Sequence, residues 1–140
     1  MKYTKKEIEE ALENVDENIL HLNTKKNKSI KNDILQKLQL KGLELKEYHK
    51  KLKLYKFVDE IPDFTFGRHI RWFNLNNKEL YLTNGGCICD IQVLEHGINI
   101  VVKNYKKRFF NISMNDCIIF QKLTDDEILL MSVLDYIEKN

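Results

Sequence analysis

Cys87-x-Cys89, with His96 close behind and Cys117 farther along, gathers the soft metal ligands of this chain. Thiolate and imidazole are the usual donors to zinc. Structural zinc sites take most of their ligands in pairs two to four residues apart on a knuckle, and no second pair follows here. Alternation along 87–94 sets Cys87 and Cys89 on the same side as Ile91 and Val93, so the expectation is of buried, reduced thiols. Asp63 after Pro62, followed by Asp90-Ile91-Gln92, echoes the lone acid and acid-x-Lys of metal-dependent nucleases. Gln92 stands where that chemistry needs lysine. Ser29, Ser113 and Ser132 have no base near them, and no glycine-rich phosphate loop occurs. The reading is of a protein that is not an enzyme, with no catalytic residue, no metal, no cofactor and no small-molecule substrate.

A different chemistry is offered by Arg71-Trp72-Phe73 and Tyr105-Lys106-Lys107-Arg108. Aromatic platforms beside positive charge are what single-stranded nucleic acid requires, and they also serve protein partners. Arg71, Phe73, Tyr105, Lys106 and Lys107 are therefore the candidate partner-binding residues. Against this stands the ordinary expectation that Trp72, Phe109 and Phe110 fill the core of a small β domain.

Strands must position those groups. Leu80–Thr83, Cys87–Leu94 and Ile98–Val102 are apolar, β-branched runs divided by Asn84-Gly85-Gly86 and Glu95-His96-Gly97, the pattern of an antiparallel meander. Alternation begins after Pro62, at Phe64, and continues through His69–Phe73, with Ile70 and Trp72 on one face and His69, Arg71 and Phe73 on the other. Two more strands follow, Arg108–Ile112 after a basic turn at 105–107 and Cys117–Phe120 after a turn at Asn115-Asp116. So many short strands in so few residues favour a small antiparallel barrel, SH3-like or OB-like.

Helical spacing rules on either side. Thr4 with Glu7 forms a capping-box signature, and Ile8, Leu12, Val15, Ile19 and Leu22 recur at heptad steps, so a helix is expected to run to about Asn23. The polar stretch Asn23–Lys28 is expected to be a loop. A second helix is expected from Ser29 to about Tyr55, with Leu38, Leu45 and Leu52 seven residues apart and Gly42 as a weak point. The two would form a helical hairpin whose seam, Ile8, Leu12, Val15, Ile19, Leu38, Leu45 and Leu52, is the candidate oligomerisation surface. Thr124 with Glu127 caps a last helix, whose Ile128, Leu129, Met131, Leu134 and Ile137 are expected to cover an open end of the sheet.

Composition sets the outer limits. With 140 residues, 43% hydrophobic and 31% charged, the chain suits one modest folded domain with an extension. Its formal charge of +2 hides an acidic segment, Glu7 to Glu17, followed by a lysine-rich one from Lys25 to Lys56. Arginine, the better bidentate phosphate ligand, occurs only at Arg68, Arg71 and Arg108. No apolar run is long enough to span a membrane, and the N-terminus lacks the apolar stretch of a signal peptide. The expectation is an intracellular, reducing location.

Gly67-Arg68-His69-Ile70-Arg71-Trp72, Leu82-Thr83-Asn84-Gly85-Gly86, Ile100–Asn104 and Cys117–Phe120 together resemble small proteins encoded by the large nucleocytoplasmic DNA viruses of protists. The resemblance covers residues 64–121. It implies a viral, non-enzymatic context, in host cytoplasm or virion, and carries no functional residue across. The sequence thus predicts an α+β protein, with a helical hairpin over 1–61 and a small barrel with a capping C-terminal helix over 62–140. Its expected role is a non-catalytic protein-interaction module, a viral structural or assembly component that pairs with another protein or with itself. The alternative is a nucleic-acid-binding accessory protein that uses the lysine-rich second helix and the barrel aromatics.

Overall fold

Thr4 opens the first helix by the expected reciprocal cap: its hydroxyl accepts from the Glu7 amide at 3.2 Å, and the Glu7 carboxylate accepts from the Thr4 amide. This helix, α1, spans Lys5–Glu13 in the computed structural model, which describes residues 3–15 and 22–139. The expected run to Asn23 is thus cut short, because the Asn14 amide already closes the last turn onto Ala11. Ile19, a member of the proposed seam, lies outside the described residues.

Asn23–Lys28 is no loop. The Asn23 side chain accepts from the Lys26 amide at 2.7 Å and caps α2, Thr24–Lys37, nearly two turns before Ser29. The long second helix is also broken. Gln39 takes a left-handed conformation (φ 64°), its amide bonds to Gln36 O, and the Leu40 amide reaches Leu35 O, a Schellman ending with both leucines buried. Gly42 (φ 67°) then starts α3, Leu43–Lys51. Leu38, Leu45 and Leu52 therefore belong to no single stripe: the first two are half-buried on different segments, and Leu52 is fully buried at the C-cap of α3.

Lys31 ties these pieces together. It is only 4% exposed, and its Nζ donates to the carbonyls of Leu52, at 2.7 Å, and Lys53, at 3.4 Å. A cation at the carbonyl end of a helix is favoured by the helix dipole, but burial and the neighbouring Lys28 pull its pKa down to about 8 from 10.5. Between those values the unfolded chain holds more protons, so this group makes stability rise with pH above about 8 and gives no slope below it, where both states are protonated. Cys117, pushed up to about 11 by burial and by Asp116, opposes that trend only above 9.0, where the unfolded thiol ionises. Urea unfolding between those limits is expected to show the native chain gaining stability relative to Lys31→Met, and parallel profiles would contradict it.

The last helix, α4, spans Asp125–Lys139 and starts on the expected cap, with Thr124 and Glu127 exchanging bonds of 2.9 and 3.1 Å. Its Leu129, Leu130 and Met131 bury with Ala11 and Leu123, and Ile8 and Val15 pack against that cluster. Among the described residues the main partner of α1 is therefore α4, and not the second helix as the expected hairpin would have it. The Thr24 amide adds a bond to Asp135 Oδ1 at 2.9 Å. Among the described residues no helix is long and apolar enough to cross a membrane.

Two compact units result: Met1–Leu54 with Leu123–Asn140, and Tyr55–Lys122. The division differs from the expected boundary at 61/62 in giving α4 to the helices and Tyr55–Val58 to the sheet. That segment is a strand, β1, followed by a 3-10 turn at Ile61–Asp63. The others are β2 (His69–Asn74), β3 (Gly86–Leu94), β4 (Gly97–Lys103), β5 (Phe109–Ser113) and β6 (Cys117–Lys122). They form one antiparallel sheet in the order β1-β6-β2-β3-β4-β5, so β1 and β5 are its edge strands and the barrel expected from the sequence does not close. Leu80–Thr83 contributes only a single bridge, Leu82 to Phe73.

One face of the sheet holds a core of Val58, Phe64, Ile70, Trp72, Ile88, Ile100, Val102, Ile112 and Ile119. A bulge between Ile88 and Asp90 decides the parity of β3. Ile88 opposite Val102 and Ile91 opposite Ile100 face the core, and Cys87 and Cys89 are exposed, the reverse of the expected burial. On the opposite face Phe57, Phe73 and Phe120 meet edge to face, at ring separations of 6.0 and 6.2 Å.

Candidate functional site

The turn that joins β4 to β5 is built by Asn104. Its Oδ1 accepts from the amides of Lys106, at 3.0 Å, and Arg108, at 2.9 Å, while its carbonyl accepts from Lys107, which sits at φ 63°. The backbone is thereby fixed and the side chains point outward. Tyr105 is 79% exposed, with the Lys106 ammonium 5.7 Å from its ring centroid. One strand pair further, Lys103 stands 5.6 Å from the ring of Phe109, which is 64% exposed. Phe110 is also exposed, at the rim of the core face. Of the aromatics expected in the core, Trp72 alone is buried there. Among the described residues no further strand pairs with the short edge strand β5, and both phenylalanines stay exposed.

Behind this turn lies a cleft of about 450 Å³. Trp72, Tyr81, Tyr105 and Phe110 supply its aromatic walls, and Asn74, Asn77, Asn84, Asn104 and Asn111 its amides. No charged side chain lines it; the positive groups, Lys106, Lys107 and Arg108, stand on the adjoining turn. Loop 80–85 forms one wall and is held by three hydrogen bonds to β2. The Thr83 amide donates to Trp72 O at 3.0 Å, the Trp72 amide to Thr83 Oγ1 at 3.2 Å, and Arg71 Nε to Thr83 O at 2.8 Å.

The candidate residues are only partly brought together. Tyr105, Lys106 and Lys107 share the turn at the mouth of the cleft. Arg71 is half-buried and holds the loop, so it positions a wall. Phe73 is 0% exposed and cannot touch a partner. The asparagines escaped notice in the sequence because Asn74, Asn77, Asn84 and Asn104 occur in turns or loops or at a strand end, where Asn is ordinary, and Asn111 stands alone among apolar residues within β5. Their recurrence next to aromatics, as in Phe73-Asn74, Asn104-Tyr105 and Phe110-Asn111, is the signal that marks them.

His69 faces the other way, its Nδ1 hydrogen-bonded at 2.8 Å to the Tyr55 hydroxyl. Burial, with Arg71 and Lys122 adding to it, lowers the histidine pKa, and burial raises that of the phenol, so both stay neutral. Cys87 and Cys89 on β3, His96 in the β3–β4 turn and Cys117 on β6 do not converge. Among the described residues no three His, Cys, Asp or Glu side chains are placed to hold a metal ion. The Asp90 carboxylate accepts from the Ile91 amide, and the Asp63 backbone carbonyl accepts from Gln121 Nε2.

The sheet unit is thus an open antiparallel sheet with an aromatic and amide cleft beside a basic turn. No protein-family model, no curated protein and no solved structure matches the chain.

Proposed function

We propose that the chain is a non-catalytic binding module whose sheet unit takes single-stranded nucleic acid. One or two unstacked bases enter the cleft, and the adjoining phosphates lie along Lys106, Lys107 and Arg108. The observation that carries this reading is the grouping of exposed Tyr81, Tyr105 and Phe110 around asparagine amides. A base offers a π-face for stacking and an edge of donors and acceptors, and an amide side chain both donates and accepts. Duplex DNA hides those faces, so it should bind less well.

Fluorescence anisotropy with labelled oligonucleotides tests the reading. Single strands are expected to bind at about 10⁻⁴–10⁻⁶ M at physiological salt, the non-specific range. Tyr105→Ala is expected to weaken them roughly tenfold, within the range known for a stacked base. Lys106→Glu with Lys107→Glu should flatten the salt dependence by about 0.7 in log–log slope for each phosphate that is no longer neutralised. Equal affinity for duplex, or indifference to Tyr105→Ala, would sink the proposal.

A protein partner is the second reading, supported by the edge strand β5 with Phe109 exposed on it. The viral structural or assembly role implied by the resemblance of residues 64–121, and self-association, belong with this reading. A homo-oligomer that Phe109→Lys returns to monomer would favour it.

A further inference from the structure

The helical unit has a cleft of its own, about 440 Å³, between α2, α3 and α4. Its lining is divided by chemistry. Leu54, Leu123, Ile128 and Met131 form an apolar floor, and Leu54 is exposed in it. Around that floor stand Lys28 and Lys31 from α2, with His49, Lys50 and Lys53 from α3 and the residues after it. Among the described residues the lining contains no carboxylate. Among those same residues none of these four lysines forms an ion pair; the pair found there is Lys51 with Glu47 at 3.0 Å, a surface contact within α3. His49 is held by Asn32, its Nε2 2.8 Å from Oδ1, and burial with Lys31 and Lys28 keeps it neutral.

Lys31 makes the arrangement more than a basic surface. Its ammonium is buried, and the carbonyls of Leu52 and Lys53 satisfy hydrogen bonds without neutralising its charge. A cation removed from water is costly unless an opposite charge accompanies it. The described residues supply none here, so an anion in the cleft would be the compensation. Lysines act on phosphate as mobile point charges and need no planar, bidentate geometry. Several of them around one cavity suit a dianion better than a single carboxylate, and the apolar floor calls for a body that leaves water with its head.

We propose that this cleft binds an organic phosphate monoester with an apolar body, its dianionic head among Lys28, Lys31 and Lys53 and its body on Leu54, Ile128 and Met131. Inorganic phosphate leaves the floor wet, and an alcohol of the same chain leaves the lysines unpaired. Both halves are needed for affinity. The site is independent of the nucleic-acid reading, because every residue it uses lies in the helical unit.

Isothermal titration of the full chain with octyl phosphate, octanol and inorganic phosphate decides the matter. Octyl phosphate is expected to bind at least about tenfold more tightly than either of the others. Lys28→Glu with Lys53→Glu, both exposed positions, should weaken it by roughly tenfold or more while the thermal midpoint and oligonucleotide binding stay as in the native chain. Octyl phosphate binding no better than octanol, or binding untouched by the double substitution, overturns the proposal. Sedimentation with phosphatidylcholine vesicles containing phosphatidic acid separates the sources of the head group. Capture that the double substitution abolishes assigns a lipid, and retained octyl phosphate binding without capture assigns a free ester; either result supports the site.

Discussion

Gly85→Ala is expected to destabilise the sheet unit by roughly 3–5 kcal/mol, combining backbone strain with overpacking. Gly85 sits at φ 78°, and a Cβ built there would stand 1.9 Å from the carbonyl oxygen of Ile70. The obstacle is backbone of β2 in the middle of the core, which cannot swing aside as a side-chain tip would. Gly67 has a similar φ of 82° but open space around it, so Gly67→Ala should cost only about 1–2 kcal/mol, the conformational part alone. Urea denaturation of the two variants separates the effects. Equal losses would mean that β2 yields and the close approach is not a constraint. Because Gly85 also lines the aromatic cleft, its replacement should lower oligonucleotide binding together with stability.

The second large loss is expected at Gln121, which is fully buried. Its Oε1 accepts from the Thr65 amide at 2.9 Å and its Nε2 donates to Asp63 O at 3.1 Å, pinning the 61–66 segment to β6. Gln121→Leu removes both bonds at once and should cost about 2–3 kcal/mol, from polar groups that lose a buried partner. Gln121→Glu is the more telling change. A carboxylate can still accept from Thr65 but turns an oxygen toward the Asp63 carbonyl, and burial raises its pKa. A raised folded pKa means that the native state holds the extra proton, so stability falls as pH climbs above the ordinary glutamate range and recovers in acid. Thermal midpoints of the glutamate variant that do not rise relative to native on acidification would contradict this account.

Both threonine caps were legible because a capping box is decided within four residues, and Thr4-Glu7 and Thr124-Glu127 are written locally. The hairpin turns of β3–β4 and β4–β5 were legible for the same reason. What the sequence hid was parity and partnership. A single inserted residue at the β3 bulge turned Cys87 and Cys89 outward, and alternation has no means of announcing it. Tyr55 continued the apolar spacing of the preceding helix, and only its pairing with Lys122, distant in sequence, makes it a strand. Gln39, a residue without the freedom of glycine, carries the left-handed turn that divided the expected helix, whereas Gly42 alone had marked the region. At the site, Tyr105, Lys106 and Lys107 were read from type and spacing. Phe73 was misassigned because its face of the sheet was taken as solvent-exposed.

Leu54 and Leu123 are joined by a backbone bond of 2.7 Å, and the next residues inward, Tyr55 and Lys122, are partners in the sheet. The chain therefore leaves the helical unit and returns to it at adjacent points, as an inserted domain does. In a disordered chain, bringing two such distant points together costs on the order of 2–3 kcal/mol more than closing a short turn. Once the sheet has formed, that cost has already been met, and α4 reaches α1 as if it followed α3 after a tight loop. The reverse holds equally: a helical unit formed first would bring Tyr55 and Lys122 together for the sheet, so each unit lowers the closure cost of the other.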